Sequence, residues 1–174
     1  MFYFSKRLLI QPLLWVLFAS ILMFGCSSTP KNVNKKTYAR VKDWRSNLGL
    51  KELESQYGLP DGLLSAVMHQ ESGGKINARS SAGAQGLFQI MPGTARDLSL
   101  ASAYEPQDSA RAAARYLSQL YRRYNGNLKQ TLAAYNWGMG NVDRWINNGQ
   151  SHRALPRETQ NYIASVKKLK SLYD

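Results

Sequence analysis

Cysteine and histidine are scarce in this chain of 174 residues, and that scarcity limits the chemistry it can support. Cys26 is the single cysteine, so no disulfide can form within the chain. The two histidines are His69 and His152, and the chain contains neither an HExxH nor a CxxC spacing. A zinc site would have to recruit carboxylates from distant positions, so we expect no metal and no other cofactor.

Acidic residues are also few, and none precedes Asp43. The chain carries 23 Lys and Arg against 11 Asp and Glu, which gives a net charge of +12. An excess of positive charge favours binding to a polyanion. Nucleic acid, an anionic membrane surface and an anionic cell wall are all candidate partners. Charge alone does not choose among them, and many of these cations are equally compatible with a simple solvated surface.

One long apolar run is present, and it lies at the N-terminus. Lys6 and Arg7 come first, and residues 8–24 are apolar except for Gln11, Pro12 and Ser20. The run ends in Gly-Cys-Ser-Ser. This layout predicts a secretory signal over residues 1–26.

Cys26 follows a small residue at the end of that run and resembles the lipidated cysteine of a bacterial lipobox. Met23 and Phe24 depart from the usual lipobox pattern. The alternative is an uncleaved signal anchor, which the run is just long enough to form. Both interpretations place the rest of the chain outside the cytoplasm. Ser27 favours an outer-membrane lipoprotein facing the periplasm, with an inner-membrane signal anchor as the alternative.

The remaining sequence divides into a basic tether at residues 27–44 and one mainly α domain at residues 45–174. Residues 27–37 are polar and basic with no apolar period, which is typical of a flexible tether. Asp61 is predicted to cap a helix. Further helices are predicted by apolar periodicity and by Pro and Gly boundaries at residues 106–124, 128–135, 141–148 and from 156 to near the end. No strong strand pattern is visible, and residues 81–90 predict a small hairpin or an irregular loop.

Glu71 is the most informative residue. Leu64, Val67 and Met68 form an apolar helical stripe, and Glu71 falls at i+7 of the same stripe. A carboxyl group on a buried face is desolvated, and desolvation raises its pKa. A raised pKa suits a general acid at neutral pH, as in glycosidic cleavage. The alternative is an exposed glutamate at the end of a helix.

Amide and aromatic side chains follow Glu71 in two clusters. Amides hydrogen-bond sugar hydroxyls and acetamides, while flat rings cover the apolar faces of sugars. Core packing is an equal explanation for Trp137. The candidates for a sugar groove are Gln85, Gln89, Tyr135, Asn136, Trp137 and Asn141.

Three segments in order make the sequence recognisable: ESGGKINARSSAGAQGLFQIMPGTA (71–95), AAYNWGMGNV (133–142) and LPRETQNYI (155–163). They resemble the signature segments of the lytic transglycosylase catalytic domain, in its soluble-lytic-transglycosylase-like branch. The resemblance covers about residues 55–170. It implies a mainly α, lysozyme-like fold of the goose-lysozyme kind, with at most a small irregular hairpin.

The resemblance also implies residue roles. Glu71 resembles the single catalytic acid/base of the family, and Tyr135 resembles the tyrosine that lies close to it. Residues 74–78 replace the family's aromatic-Asn-Pro run, and Leu87-Phe88-Gln89 replaces Leu-Met-Gln, which bears on subsite preference. The resemblance implies substrate-binding roles for Ser72, Ser80, Gln89, Tyr135, Asn136 and Glu158, and the amide pattern adds Gln85.

The activity implied is cleavage of the β-1,4 bond between N-acetylmuramic acid and N-acetylglucosamine in peptidoglycan, with formation of 1,6-anhydromuramic acid ends. Asp61 precedes the helix that carries Glu71 and Asp97 follows Glu71 by 26 residues, so the sequence does not support the carboxylate pair of an ordinary glycosidase. A muramidase of the same fold and a non-catalytic peptidoglycan-binding protein are the alternatives. Nucleic-acid binding is disfavoured, because the basic residues are scattered and an export signal is present. The expected partners are glycan strands and a membrane, and the expected state is a monomer.

Overall fold

The computed structural model describes residues 33–151 and 154–174, which form eight α-helices and no extended sheet. The predicted signal, the lipobox at Cys26 and residues 27–32 of the tether lie outside these residues. No helix in the described ranges is long and apolar enough to span a bilayer. In chain order the helices are α1 Lys35–Asn47, α2 Leu50–Gln56, α3 Leu63–Ser72, α4 Pro92–Asp97, α5 Pro106–Arg123, α6 Leu128–Trp137, α7 Met139–Asn147 and α8 Arg157–Lys170.

Helix α1 corrects the prediction of a flexible tether for residues 35–44. Asn34 caps the helix, because its side-chain oxygen accepts hydrogen bonds from the backbone N–H groups of Lys36 and Thr37. Val41 is fully buried, and α1 packs against α3. The tether interpretation failed here because one buried valine in a basic helix leaves little apolar periodicity to detect.

Helix α3 is the central helix of the domain, since its residues 63–68 are all buried and it packs against α1, α2, α5 and α8. It begins at Leu63, and the prediction that Asp61 caps it is wrong. The buried carboxylate of Glu54 accepts the N–H groups of Gly62 (3.0 Å) and Leu64 (2.6 Å) instead. Asp61 is turned away from the helix start and pairs with Arg45.

The helices of the second half follow the periodicity of the sequence. Helix α5 begins with Pro106 in its first turn, where the missing N–H is not needed. Helix α6 extends two residues beyond its predicted end, and α7 begins two residues earlier than predicted. Helix α8 buries Tyr162, Val166 and Leu169 against α3 and α6, so the C-terminal helix closes the domain over the end of α3.

Residues 73–91 form the loop that joins α3 to α4, and it contains the small irregular hairpin expected from the sequence. Two isolated bridges occur, from Arg79 to Gln85 and from Gln85 to Ile90. The apolar side chains of Leu87, Phe88 and Ile90 are buried in the core. The 73–91 loop is therefore anchored by its second half, directly beside the C-terminal end of α3.

Candidate active site

Glu71 lies in the last turn of α3, where Gly73 ends the helix in a left-handed conformation with φ of 59°. The residue is partly accessible to solvent, but protein atoms surround its carboxyl group. Burial raises the pKa of Glu71 to about 7, and a hydrogen bond from the Tyr162 hydroxyl to Oε1 (2.8 Å) acts in the opposite direction. At neutral pH this carboxyl group therefore exists in both protonation states, as its place on the apolar stripe predicts.

Two tyrosines lie near this carboxyl group, the buried Tyr162 from α8 and the partly buried Tyr135 from α6. Burial and the nearby Glu71 charge raise the pKa of both tyrosines well above the ordinary value. Both hydroxyls therefore keep their protons at neutral pH. Tyr162 donates to Glu71, while Tyr135 donates to the Phe88 carbonyl at 2.8 Å. Sequence reasoning placed Tyr162 on the apolar face of the last helix and missed its contact with Glu71.

Ser72, the neighbour of Glu71, joins α3 to the 73–91 loop. Its hydroxyl donates to the Leu87 carbonyl at 2.7 Å and accepts the N–H of Gly74 at 3.1 Å. These bonds fix the chain on both sides of the loop. The hydroxyl of Ser72 is thus used in protein contacts that hold the loop against the end of α3.

The other predicted residues of the 73–91 loop also make internal contacts. The Ser80 hydroxyl accepts the N–H of Ala84 at 3.0 Å. Gln85 pairs with Ile90 through backbone atoms, and its side chain is partly accessible. Gln89 adopts a left-handed conformation with φ of 47°, and its amide nitrogen donates to the carbonyls of Ala78 (3.1 Å) and Gly86 (3.0 Å). The loop is therefore pre-organised by its own polar side chains.

The predicted residues of α6 and α8 meet at the start of α8. Asn136 accepts a hydrogen bond from the buried Thr159 hydroxyl at 2.8 Å. Glu158 is adjacent in sequence and exposed in the first turn of α8, with no hydrogen bond to Glu71. Trp137 packs against the core, and Asn141 donates to its carbonyl at 2.7 Å. Tyr135 is thus the predicted α6 residue whose pKa responds to the Glu71 charge, whereas Asn136 ties α6 to α8.

Helix α1 contacts the segment that immediately follows the Glu71-Ser72 pair. Arg40 Nη1 donates to the Gly73 carbonyl at 3.0 Å, and Trp44 Nε1 donates to the Gly74 carbonyl at 3.0 Å. A Cβ at Gly74 would lie 3.2 Å from atoms of both side chains. The sequence contains no local signal for these contacts, because they join residues about 30 positions apart.

The site provides one carboxyl group. Within residues 33–151 and 154–174, no acidic side chain is hydrogen-bonded to Glu71, and no three His, Cys, Asp or Glu residues are grouped as a metal site would require. A single carboxyl with a pKa near 7 can donate a proton and later accept one. Such a group performs both halves of acid/base catalysis at neutral pH.

Comparison with known proteins identifies the class. The family model of the transglycosylase SLT domain matches residues 50–156, more than half of the chain, and the chain belongs to that family. A transglycosylase of Enterobacteria phage PRD1 is 35% identical, over 55% of this chain and 35% of that protein. A membrane-bound lytic murein transglycosylase F of Pseudoalteromonas translucida is 31% identical, over 61% of this chain and 20% of that protein.

The solved structures agree with the family match. The X-ray structure of lytic transglycosylase Slt from Pseudomonas aeruginosa, an inactive mutant with glutamine in place of one glutamate, is 32% identical with a TM-score of 0.65. The match covers 71% of this chain and 23% of that one. The mainly α, lysozyme-like fold expected from the sequence is confirmed. The chain spans between about a fifth and about a third of the length of these relatives.

Proposed function

We propose that the chain is a peptidoglycan lytic transglycosylase with Glu71 as its one catalytic acid/base. It cleaves the β-1,4 bond between N-acetylmuramic acid and N-acetylglucosamine and leaves 1,6-anhydromuramic acid ends. The observation that carries this proposal is the single carboxyl group at the end of α3, with a pKa of about 7 and a hydrogen bond from Tyr162. Family membership and the inactive glutamine mutant of the Slt relative support it.

The reaction needs one proton donor that becomes a base. Protonated Glu71 gives its proton to the glycosidic oxygen, and the bond from that oxygen to C1 of the muramic residue breaks. The acetamide of the same sugar stabilises the positive charge that develops at C1. The Glu71 carboxylate then takes the proton of the C6 hydroxyl as O6 bonds to C1. No water is consumed, so no second carboxylate is needed to activate one.

The groove for the glycan strand lies, in this proposal, between the 73–91 loop and the start of α8. Ser80, Gln85, Gln89, Asn136 and Glu158 are its proposed substrate contacts, and Tyr135 lies beside the carboxylate. The contact between Ser72 and Leu87 supports a role for Ser72 in holding the loop, through which it aligns the substrate contacts.

The test is mass spectrometry of the soluble muropeptides that the protein releases from purified sacculi. The unaltered protein should release products with 1,6-anhydromuramic ends. Glu71→Gln should release none while keeping the circular dichroism spectrum and melting temperature of a folded domain, because the amide can accept the Tyr162 hydrogen bond but cannot donate an acidic proton. Glu105→Gln, an exposed glutamate just before α5, is the matched control and should be fully active.

Three results would contradict the proposal in different ways. Reducing sugar ends would make the protein a muramidase, which must position a water molecule. Binding to sacculi without release of any product would make it a peptidoglycan-binding protein. Turnover by Glu71→Gln would remove Glu71 from the mechanism.

We further propose that the chain works on the periplasmic side of the envelope as a monomer, anchored to the outer membrane through a lipid on Cys26. The N-terminal apolar run and Ser27 support this location, and one relative is named as membrane-bound. Cys26→Ala should move the protein out of the outer-membrane fraction. Recovery of the unaltered protein in the inner membrane, with Cys26→Ala in the same fraction, would instead favour the signal anchor.

A further inference from the structure

A groove of about 430 Å³ lies beside the 73–91 loop, on the side where α1 contacts it. Arg40 of α1 forms one wall, and residues 74–78 form the other. Ile76 is a partly buried apolar residue of this wall, while Lys75 and Asn77 are exposed. The groove therefore combines two cations, an amide and an apolar surface.

The two cations of this groove form no ion pair with any residue that the structure describes. Within the described ranges, no carboxylate lies within ion-pair distance of Arg40 or Lys75, although several other basic residues are paired. Arg40 donates through Nη1 to the Gly73 carbonyl, which fixes the plane of the guanidinium. A guanidinium held in this way keeps further N–H donors for a carboxylate ligand.

The position of the groove relates it to the catalytic carboxyl group. Gly74, in its wall, is three residues from Glu71, and the carbonyl of Ala78 at its other end holds Gln89. A peptide branch of the strand that is cut at Glu71 is therefore the candidate ligand for the groove. Helix α1, which supplies Arg40, precedes residues 50–156 that the family model matches, while residues 74–78 lie within that match.

We propose that this groove binds a free carboxylate of a peptidoglycan stem peptide, with Lys75 and Arg40 as its cationic contacts and Ile76 against an aliphatic part of the peptide. The inference rests on the proposed function, since a stem peptide branches from the muramic acid residue at the cleavage site. The groove thereby favours strands whose peptides carry unmodified carboxylates.

The experiment compares two substrates that differ in charge alone: peptide-bearing glycan strands with free peptide carboxylates, and the same strands after chemical amidation. The ratio of kcat/KM for free over amidated strands measures recognition of the carboxylate. We expect the unaltered protein to prefer free strands, and Lys75→Glu to lower the ratio by about fivefold, the loss expected for an exposed ion pair. Lys167→Glu, which makes the same charge change on an exposed residue of α8, should keep the ratio of the unaltered protein.

The outcomes separate this inference from the proposed function. One outcome is that the ratio is the same in the unaltered protein, Lys75→Glu and Lys167→Glu while both substrates are cleaved. That result would overturn the proposal that the groove binds a carboxylate, and it would leave the proposed transglycosylase activity standing. An equal fall of this ratio in Lys75→Glu and Lys167→Glu would show a general effect of charge and would also overturn the proposal for the groove. If the unaltered protein cleaves neither substrate, the proposed function fails and the inference fails with it. A ratio that falls in Lys75→Glu alone, and approaches one at high salt, supports the groove.

Discussion

At the scale of single residues, the decisive property is the protonation of Glu71. Two effects shift the pKa of Glu71 in opposite directions. Burial favours the neutral acid and raises the pKa, while the hydrogen bond from the Tyr162 hydroxyl stabilises the carboxylate and lowers it. The balance leaves a pKa of about 7. In the proposed mechanism, Tyr162 is therefore a positioning residue that adjusts the pKa of Glu71 without contacting the substrate.

Tyr162→Phe should move the alkaline limb of the pH-rate profile to higher pH. The variant loses the hydrogen bond that lowers the Glu71 pKa, so the acid form persists to higher pH. The measurement is kcat/KM against pH between about 5 and 9, for a rate that falls as Glu71 loses its proton.

Tyr173→Phe is the control for this profile. The Tyr173 hydroxyl contacts His69 Nδ1 at 2.6 Å, on the same helix as Glu71, and makes no hydrogen bond to the carboxyl group. The alkaline limb of the pH-rate profile of Tyr173→Phe should coincide with that of the unaltered protein. If Tyr162→Phe also leaves the limb in place, the hydrogen bond does not tune Glu71.

At the scale of structural elements, the 73–91 loop is the part of the site with the most external support. Helix α1 holds its beginning, Ser72 joins it to α3, and Tyr135 of α6 holds the Phe88 carbonyl. Gly86 brings it close to the chain before α5, where a Cβ would lie 1.9 Å from the Ala103 carbonyl oxygen. The loop thus depends on contacts with four separate parts of the chain.

Gly86→Ala should destabilise the protein by about 2–5 kcal/mol, because its φ of +74° disfavours a side chain and the new Cβ would overlap a backbone oxygen. Gly83→Ala is the matched control, with φ of +90° and no heavy atom within 4 Å. It should lose about 1–2 kcal/mol from backbone strain alone. Urea unfolding measures both, and equal losses would show that the contact with Ala103 is unimportant.

Trp44→Phe should lower kcat by about threefold to tenfold, since one hydrogen bond that orients the segment after Glu71 is worth about 1 kcal/mol. Trp145→Phe is the control, because it also removes an indole donor to a carbonyl, that of Ser151 at 2.9 Å, but in α7. Both variants should lose similar stability on thermal unfolding. A kcat that falls equally in both would mean that α1 contributes stability and nothing specific to the site.

At the scale of the whole molecule, the folded unit begins before the family-matched residues. Helix α1 ends at Asn47, and the match begins at residue 50. Tyr38 of α1 stacks on Tyr173 near the C-terminus, with ring centroids 5.3 Å apart. The helix that follows the predicted anchor thus packs against both the loop beside Glu71 and the C-terminal end of the chain.

A protein shortened to residues 50–174 should be less stable than one of residues 33–174 by about 2 kcal/mol or more, because it loses the buried Val41 and the α1 contacts. The rate of turnover of the shortened protein should fall together with its stability. Thermal unfolding and muropeptide release measure the two effects. Equal stability of the two proteins would show that α1 is an appendage of the domain.

Much of the fold could be predicted from the sequence, because the periodicity of α3, α5, α6 and α8 is local. Errors arose where a distant residue replaced a local signal. Asp61 has the residue type of a helix cap, but Glu54 of α2 takes that role at α3. Residues 35–44 look like a tether, but Val41 and Trp44 bind them to the core and the loop.

The sequence by itself determined helices α3 and α5 to α8, the motif order and the choice of Glu71, since each depends on residue type and spacing along a short stretch. The tertiary structure alone decided what surrounds that carboxyl group. Tyr162 lies 91 residues from Glu71 along the chain, and Arg40 and Trp44 precede it by about 30. Protonation depends on burial and hydrogen bonding, and these arise only when distant helices pack together.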